Sequence, residues 1–174
     1  MTILVSDTSV LTDLERGNLL DSCFRLPFEF AVPDLLYRQE LEQFGGPALV
    51  AKGLRVEELT GEELTVAQTT RGSRPKLSLP DAFAYSLASK RGWTLLTGDG
   101  ELRTLAEAQG LPFFGALWIC DQLFESKVIE AVTIADGLDL IGAHPRWRDT
   151  LVASWTVHFI KPCSTPGFLA EETL

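Results

Sequence analysis

The stretch Ile3-Leu4-Val5-Ser6-Asp7-Thr8-Ser9 decides the fold. Three consecutive apolar residues without alternation read as a short strand buried on both faces, the kind that lies at the centre of a parallel sheet. Ser6, Asp7, Thr8 and Ser9 are all favoured helix N-cap types, and Val10, Leu11 and Leu14 carry helical spacing onward to Arg16-Gly17. A buried strand that stops at an acid and turns at once into a helix is the first unit of an α/β domain.

The same alternation repeats along the chain. A short helix is expected over 19–24 and a strand over 28–32, which Pro33-Asp34 ends. Leu35, Leu36, Tyr37, Leu41 and Phe44 then trace one helix face as far as Gly45-Gly46. A third strand is placed over 54–59, a helix over 60–70, and a loop at Arg71-Gly72-Ser73-Arg74-Pro75-Lys76. Ser78-Leu79-Pro80-Asp81 opens a helix that runs to Arg91-Gly92. Trp93-Thr94-Leu95-Leu96-Thr97 is another buried strand, cut by Gly98-Asp99-Gly100. Leu102, Leu105 and Ala106 mark the next helix, and a last strand covers 112–115. From 116 to about 160 the chain reads mostly helical, with a break at Gly142-Ala143-His144-Pro145, and 161–174 reads as a loose tail. Strands alternating with helices imply right-handed crossovers and a parallel sheet.

Composition bounds the function. With 174 residues, 45% apolar and 22% charged, one domain with a proper core is expected. A net charge of −9 excludes a protein that grips nucleic acid by a blanket of positive charge, so any polyanion must be held locally. Cys23, Cys120 and Cys163 form no CxxC pair, which suggests packing thiols rather than a disulfide framework or a zinc site. The N-terminus lacks a basic region and reaches Asp7 before an apolar run develops, so no signal peptide is expected. No run is long enough to span a bilayer, and a cytoplasmic location is expected.

Ligands of open α/β sheets bind outside the carboxyl ends of the strands. Asp7 and Asp99 stand just past two such ends, Asp81 lies in the first turn of a helix, and Glu40 lies within the helix after Pro33. Each has an ordinary structural explanation. Asp7 can cap its helix, Ser78-x-x-Asp81 fits a capping box, Gly98-Asp99-Gly100 is turn chemistry, and Glu40 suits a solvated helix face. Their joint order and spacing is what points to chemistry.

That ordered set resembles the PIN-domain nucleases, which include the VapC toxins of toxin–antitoxin pairs. The matching residues are Asp7-Thr8-Ser9 after the first strand, Glu40 on a helix, Leu79-Pro80-Asp81-Ala82 at a helix start, and Leu95-Leu96-Thr97-Gly98-Asp99 after a strand. The likeness continues through Gly110-Leu111-Pro112-Phe113-Phe114-Gly115 and Leu117-Trp118, and spans roughly residues 1–160. The resemblance implies a single domain over 1–160, a three-layer α/β/α sandwich around a central parallel sheet of four to five strands. It further implies metal-dependent hydrolysis of RNA phosphodiesters, with Asp7, Glu40, Asp81 and Asp99 as the acidic cluster. Asp7 and Asp99 would ligate Mg²⁺ or Mn²⁺ directly, Asp81 and Glu40 would hold metal-bound waters or a second ion, and Ser9 and Thr97 would orient the carboxylates. An antitoxin partner is implied in the same way. A homodimer is expected too, with the apolar helices after 116 supplying its surface. The residue chemistry agrees: hard divalent ions take oxygen ligands, and crowded carboxylates repel until a cation enters.

Substrate grip falls to local cations. Arg71, Arg74 and Lys76 precede Asp81, and Lys90, Arg91 and Arg103 flank the strand before Asp99, although each also serves as an ordinary solubilising charge. His144 and His158 are too isolated for a metal pair, and Trp118, Trp147 and Trp155 suit packing better than base stacking. Two other readings compete. One keeps the fold as a catalytically degenerate nucleic-acid or protein-binding module. The other is an aspartyl phosphotransferase of the haloacid-dehalogenase kind, which expects a second acid two residues after Asp7, where this chain has Ser9.

Overall fold

A computed structural model describes residues 2–145. The strand read at Ile3-Leu4-Val5 is the middle of β1 (Thr2–Ser6), and Leu4 and Val5 have no exposed surface. The other strands are β2 (Phe28–Pro33), β3 (Arg55–Glu57), β4 (Thr94–Leu96) and β5 (Phe113–Phe114). All pair in parallel, in the order β3-β2-β1-β4-β5. Leu4 lies between Phe30 and Thr94, and Val5 between Ala31 and Leu95, which is why this run is apolar on both faces.

Helices cover both faces and complete the three-layer sandwich. They are α1 (Thr8–Arg16), α2 (Leu20–Cys23), α3 (Asp34–Leu36) with a π-helical turn over Tyr37–Leu41, and α4 (Gly46–Ala51). Then come α5 (Gly61–Ser73), α6 (Leu79–Arg91), α7 (Gly100–Ala108), α8 (Ala116–Glu125) and α9 (Ala131–Gly142). The chain winds from β1 outward to β2 and β3, then returns past β1 to β4 and β5. Neighbouring β1 and β4 therefore flank the point where the strand order reverses, the place where such sheets open a crevice at their carboxyl ends.

One helix carries much of the assembly. α6 packs over β1, β2 and β4 and pairs extensively with α5. Its far end is fastened by Arg91, which donates to Glu63 (2.8 Å) and Glu57 (2.6 Å) and lies 5.1 Å from the Trp93 ring. On the opposite face, α9 meets α1 through backbone. A Cβ on Gly137 would stand 2.6 Å from the Gly17 carbonyl oxygen, so glycine is what lets the two segments touch.

Several boundaries depart from the sequence reading. Arg71, Gly72 and Ser73 belong to α5 rather than to a loop, because the Thr60–Glu63 capping box and packing on α6 hold the helix through its glycine. Gly45-Gly46 ends one helix but also starts another: Gly45 turns at φ 92° and Pro47 opens α4, a favoured first-turn position. The third strand is shorter than expected, since Leu59 is held by Asp34 instead of pairing in the sheet. The helical stretch after 116 breaks at 126–130, where Lys127 takes φ 53°. The expected helix to about 160, the tail over 161–174, and Trp147, Trp155, His158 and Cys163 lie outside the described residues. No helix among the described residues is long and apolar enough to cross a membrane.

Candidate active site at the carboxyl end of the sheet

Asp7 is the first residue beyond β1, and its N–H still donates to Leu96 O of the neighbouring strand (3.0 Å). That register leaves its side chain between the two strand ends. Oδ1 accepts from Val10 N (3.0 Å) and Ser9 Oγ (2.7 Å), capping α1. Oδ2 accepts from Thr97 Oγ1 (2.5 Å) and Gly98 N (3.3 Å). Four donors fill the acceptor capacity of a carboxylate, yet Asp7 is only 1% exposed. Burial dominates and raises its pKa above the ordinary aspartate value, against the lowering by Thr97, Val10, Ser9 and Gly98.

Thr97 joins the two strand ends. Its fully buried hydroxyl donates to Asp7 and accepts from Asp99 N (3.0 Å), so one side chain sets the spacing of both acids. Asp99 caps α7 through Oδ1, which accepts from Leu102 N (2.8 Å). Arg103, one turn along α7, donates from Nε to Thr97 O (3.2 Å), holding the turn from the sheet side. Room for that guanidinium comes from Gly115, where a Cβ would stand 2.4 Å from Arg103 Nη2.

Asp81 approaches from above on the first turn of α6. Ser78 caps the helix, accepting from Asp81 N (3.1 Å) and donating to Asp81 Oδ2 (2.6 Å). Burial raises the Asp81 pKa and the Ser78 hydrogen bond opposes it, while the negative charges of Asp7 and Asp99 push it further up. Asp81 therefore stands close enough to the other two aspartates to feel their charge. Glu40, on the π-helical turn, joins the edge through Thr8, whose hydroxyl donates to Glu40 Oε2.

The capping explanations are therefore real for Asp7 and Asp99, but they are incomplete. A cap has no need to be buried, and burying a carboxylate without a cation is costly. Among the described residues none of Asp7, Glu40, Asp81 or Asp99 pairs with Lys, Arg or His, whereas Asp13, Asp34, Glu57, Glu63 and Glu101 all do. Several of the cations named from the sequence are engaged elsewhere: Arg74 with Glu101 (3.1 Å), and, at the far end of α6 from Asp81, Lys90 with Glu62 and Arg91 with Glu57 and Glu63. Of the six cations read as phosphate contacts, Arg91 is thus structural, paired with the buried Glu63.

Comparison with known families settles the class. The DUF3368 family model, described as a PIN domain, matches residues 3–150. The chain belongs to the PIN-domain family. No curated protein matches it. PIN domains are generally nucleases, so this one is a nuclease-type module.

An all-oxygen donor set fits the divalent metals that PIN nucleases typically use. Among the described residues no three His, Cys, Asp or Glu side chains are gathered as tightly as around an ion. Asp7 explains part of this, because all its acceptor positions are taken by protein donors. Sequence reasoning named Ser9 and Thr97 as orienting groups but missed the Gly98 amide, the Thr8–Glu40 contact and the Arg103–Gly115 fit. The spacing of Arg103 one turn after Asp99 was the available signal for the last.

Proposed function

We propose that this PIN domain is a Mg²⁺- or Mn²⁺-dependent endoribonuclease that hydrolyses RNA phosphodiester bonds at the edge formed by Asp7, Glu40, Asp81 and Asp99. The observation that carries the reading is the missing counter-charge: Asp7 is almost fully buried at the strand-order reversal, Asp81 feels the charges of Asp7 and Asp99, and among the described residues no Lys, Arg or His pairs with Asp7, Glu40, Asp81 or Asp99. A bound divalent ion supplies there an activated water and positive charge for the phosphoryl oxygens. Asp7 and Asp99 are the proposed direct ligands, fixed in their mutual spacing by Thr97. Asp81 and Glu40, their carboxylates held by Ser78 and Thr8, would add outer oxygen donors around the ion. Arg103 braces the turn.

A toxin role with an antitoxin partner is proposed on the resemblance to VapC proteins. A homodimer is proposed on the apolar surface of α9, where Val132 is 62% and Leu140 47% exposed. Sedimentation at micromolar concentration tests the dimer, and a single monomer species refutes it.

The nuclease reading is tested by incubating the purified chain with single-stranded RNA, with Mg²⁺, Mn²⁺ or chelator. Cleavage is expected only with metal, and Asp7→Asn or Asp99→Asn is expected to abolish most of it while far-UV circular dichroism stays unchanged. Full activity in both variants contradicts the assignment. Metal-independent RNA binding with no cleavage would instead support the degenerate binding module.

A further inference from the structure

We propose that the cleft between α5, α6, α7 and the connection over 74–78 binds the nucleotide next to the scissile phosphodiester of a single-stranded RNA, an inference that rests on the nuclease reading above. The cleft has a volume of about 760 Å³, within the range of small-molecule sites. Tyr85 lines it. That residue is only 6% exposed, yet its hydroxyl has no hydrogen-bond partner among the described residues. Buried polar groups are nearly always paired, and a buried tyrosine that lines a polar cleft with its hydroxyl unpaired is placed to meet a ligand.

The position of the cleft fixes which ligand. Two of its walls are α6, with Asp81 in its first turn, and α7, capped by Asp99. Tyr85 lies four residues beyond Asp81, which is about 6 Å along a helix. Glu101 lies two residues beyond Asp99. A strand whose phosphate sits at the acids therefore lays its next nucleotide along Tyr85 and α7. The chemistry of the lining matches a nucleotide. Lys76 has no carboxylate partner among the described residues and offers a point charge to a phosphate, while Arg74 is held at the mouth by Glu101 (3.1 Å). The Tyr85 hydroxyl and the Gln109 amide each donate and accept, as the edges of a base and a ribose require. Entry of a base from the side requires it to be unstacked, which selects single-stranded RNA.

The test uses the full chain, its Tyr85→Phe and Lys76→Gln variants, and a labelled single-stranded RNA oligonucleotide. Cleavage kinetics are measured in Mn²⁺ and binding by fluorescence anisotropy in Ca²⁺. Tyr85→Phe removes one oxygen and keeps the ring, and is expected to raise KM and the binding constant about threefold to tenfold. Lys76→Gln is expected to raise KM and to flatten the salt dependence of binding by roughly one phosphate contact, about 0.7 in the logarithmic slope. In both variants kcat moves much less than KM. If the wild type cuts RNA and both variants keep its KM, the cleft is not a nucleotide site although the nuclease reading stands. If the wild type binds RNA without cutting it and Tyr85→Phe weakens that binding, the cleft stands and the nuclease reading falls. Neither binding nor cleavage overturns both.

Discussion

Thr97→Val keeps the shape of a fully buried side chain and removes only its hydroxyl. The hydroxyl makes two bonds, a donation to the Asp7 carboxylate at 2.5 Å and an acceptance from Asp99 N at 3.0 Å. Losing the charge-assisted one costs about 1.5–3 kcal/mol, and leaving the Asp99 amide unpaired costs about 1–2 kcal/mol more. The expected total is about 3 kcal/mol, which for a domain of this size lowers Tm by roughly 6–12 °C. The loss also depends on pH. Asp7 has its pKa raised in the folded state, so the folded protein binds more protons than the unfolded chain at any pH between the ordinary aspartate value and the folded one. Stability therefore falls as pH rises through that window. Removing the Thr97 donor raises the folded pKa further and widens the window, so the variant is penalised more near neutrality than near pH 4. Thermal scans of wild type, Thr97→Val and Thr97→Ser across that range check this, with Thr97→Ser recovering most of the loss. A Thr97→Val deficit below about 1 kcal/mol, or one that does not shrink on acidification, would refute the claim that this hydroxyl spaces the two acids.

Two further perturbations probe the frame. Gly137→Ala is expected to destabilise by about 1–3 kcal/mol, since its methyl meets the Gly17 carbonyl oxygen at 2.6 Å and the buried Leu19 side chain at 2.9 Å. Denaturant unfolding measures it, and a neutral outcome means that α9 does not rest on α1. Arg91→Met leaves the buried Glu63 without its guanidinium, at a cost of about 2–4 kcal/mol near neutral pH. The Arg91 hydrogen bond holds the Glu63 pKa below the ordinary glutamate value, so the wild-type stabilisation is present above that ordinary value and fades as pH falls through the folded one. The gap between wild type and Arg91→Met should accordingly close on acidification, and a constant gap contradicts the pairing.

The parts of the fold legible in the sequence are those where one local signal dominates. Ile3-Leu4-Val5 reads correctly because a central parallel strand must be apolar on both faces, and Asp7 and Asp99 read correctly as strand-end acids because capping and catalysis ask for the same position. Gly72 and Gly45-Gly46 misled because glycine marks both an interruption and a tolerated helix interior, and only packing of α5 on α6 or the Pro47 start of α4 distinguishes them. The candidate acids could be named from the sequence, but the hydrogen bonds that join Asp7, Thr97 and Asp99 could not. Which cations are free could not be read, since the pairing of Arg91 with Glu57 and Glu63 depends on where α6 ends relative to β3. The Tyr85 hydroxyl was equally hidden, because a tyrosine on a helix of buried residues reads as core.

The central claim is that the acids at the strand ends form one metal site, and a pair of melting scans tests it most directly. Wild type and Asp99→Asn are each scanned with Mn²⁺ and with chelator. Asparagine serves as an N-cap as well as aspartate does, so the variant keeps the start of α7 and loses only charge. An ion that binds only the folded form at ten times its Kd stabilises by about 1.4 kcal/mol, a rise of roughly 3–6 °C in Tm. That rise is expected in the wild type, with a higher metal-free Tm in Asp99→Asn because the repulsion on Asp81 is eased, and a smaller Mn²⁺ effect in the variant. Equal shifts in both proteins, or no shift in either, would mean that the carboxylates share no ion and are helix caps alone.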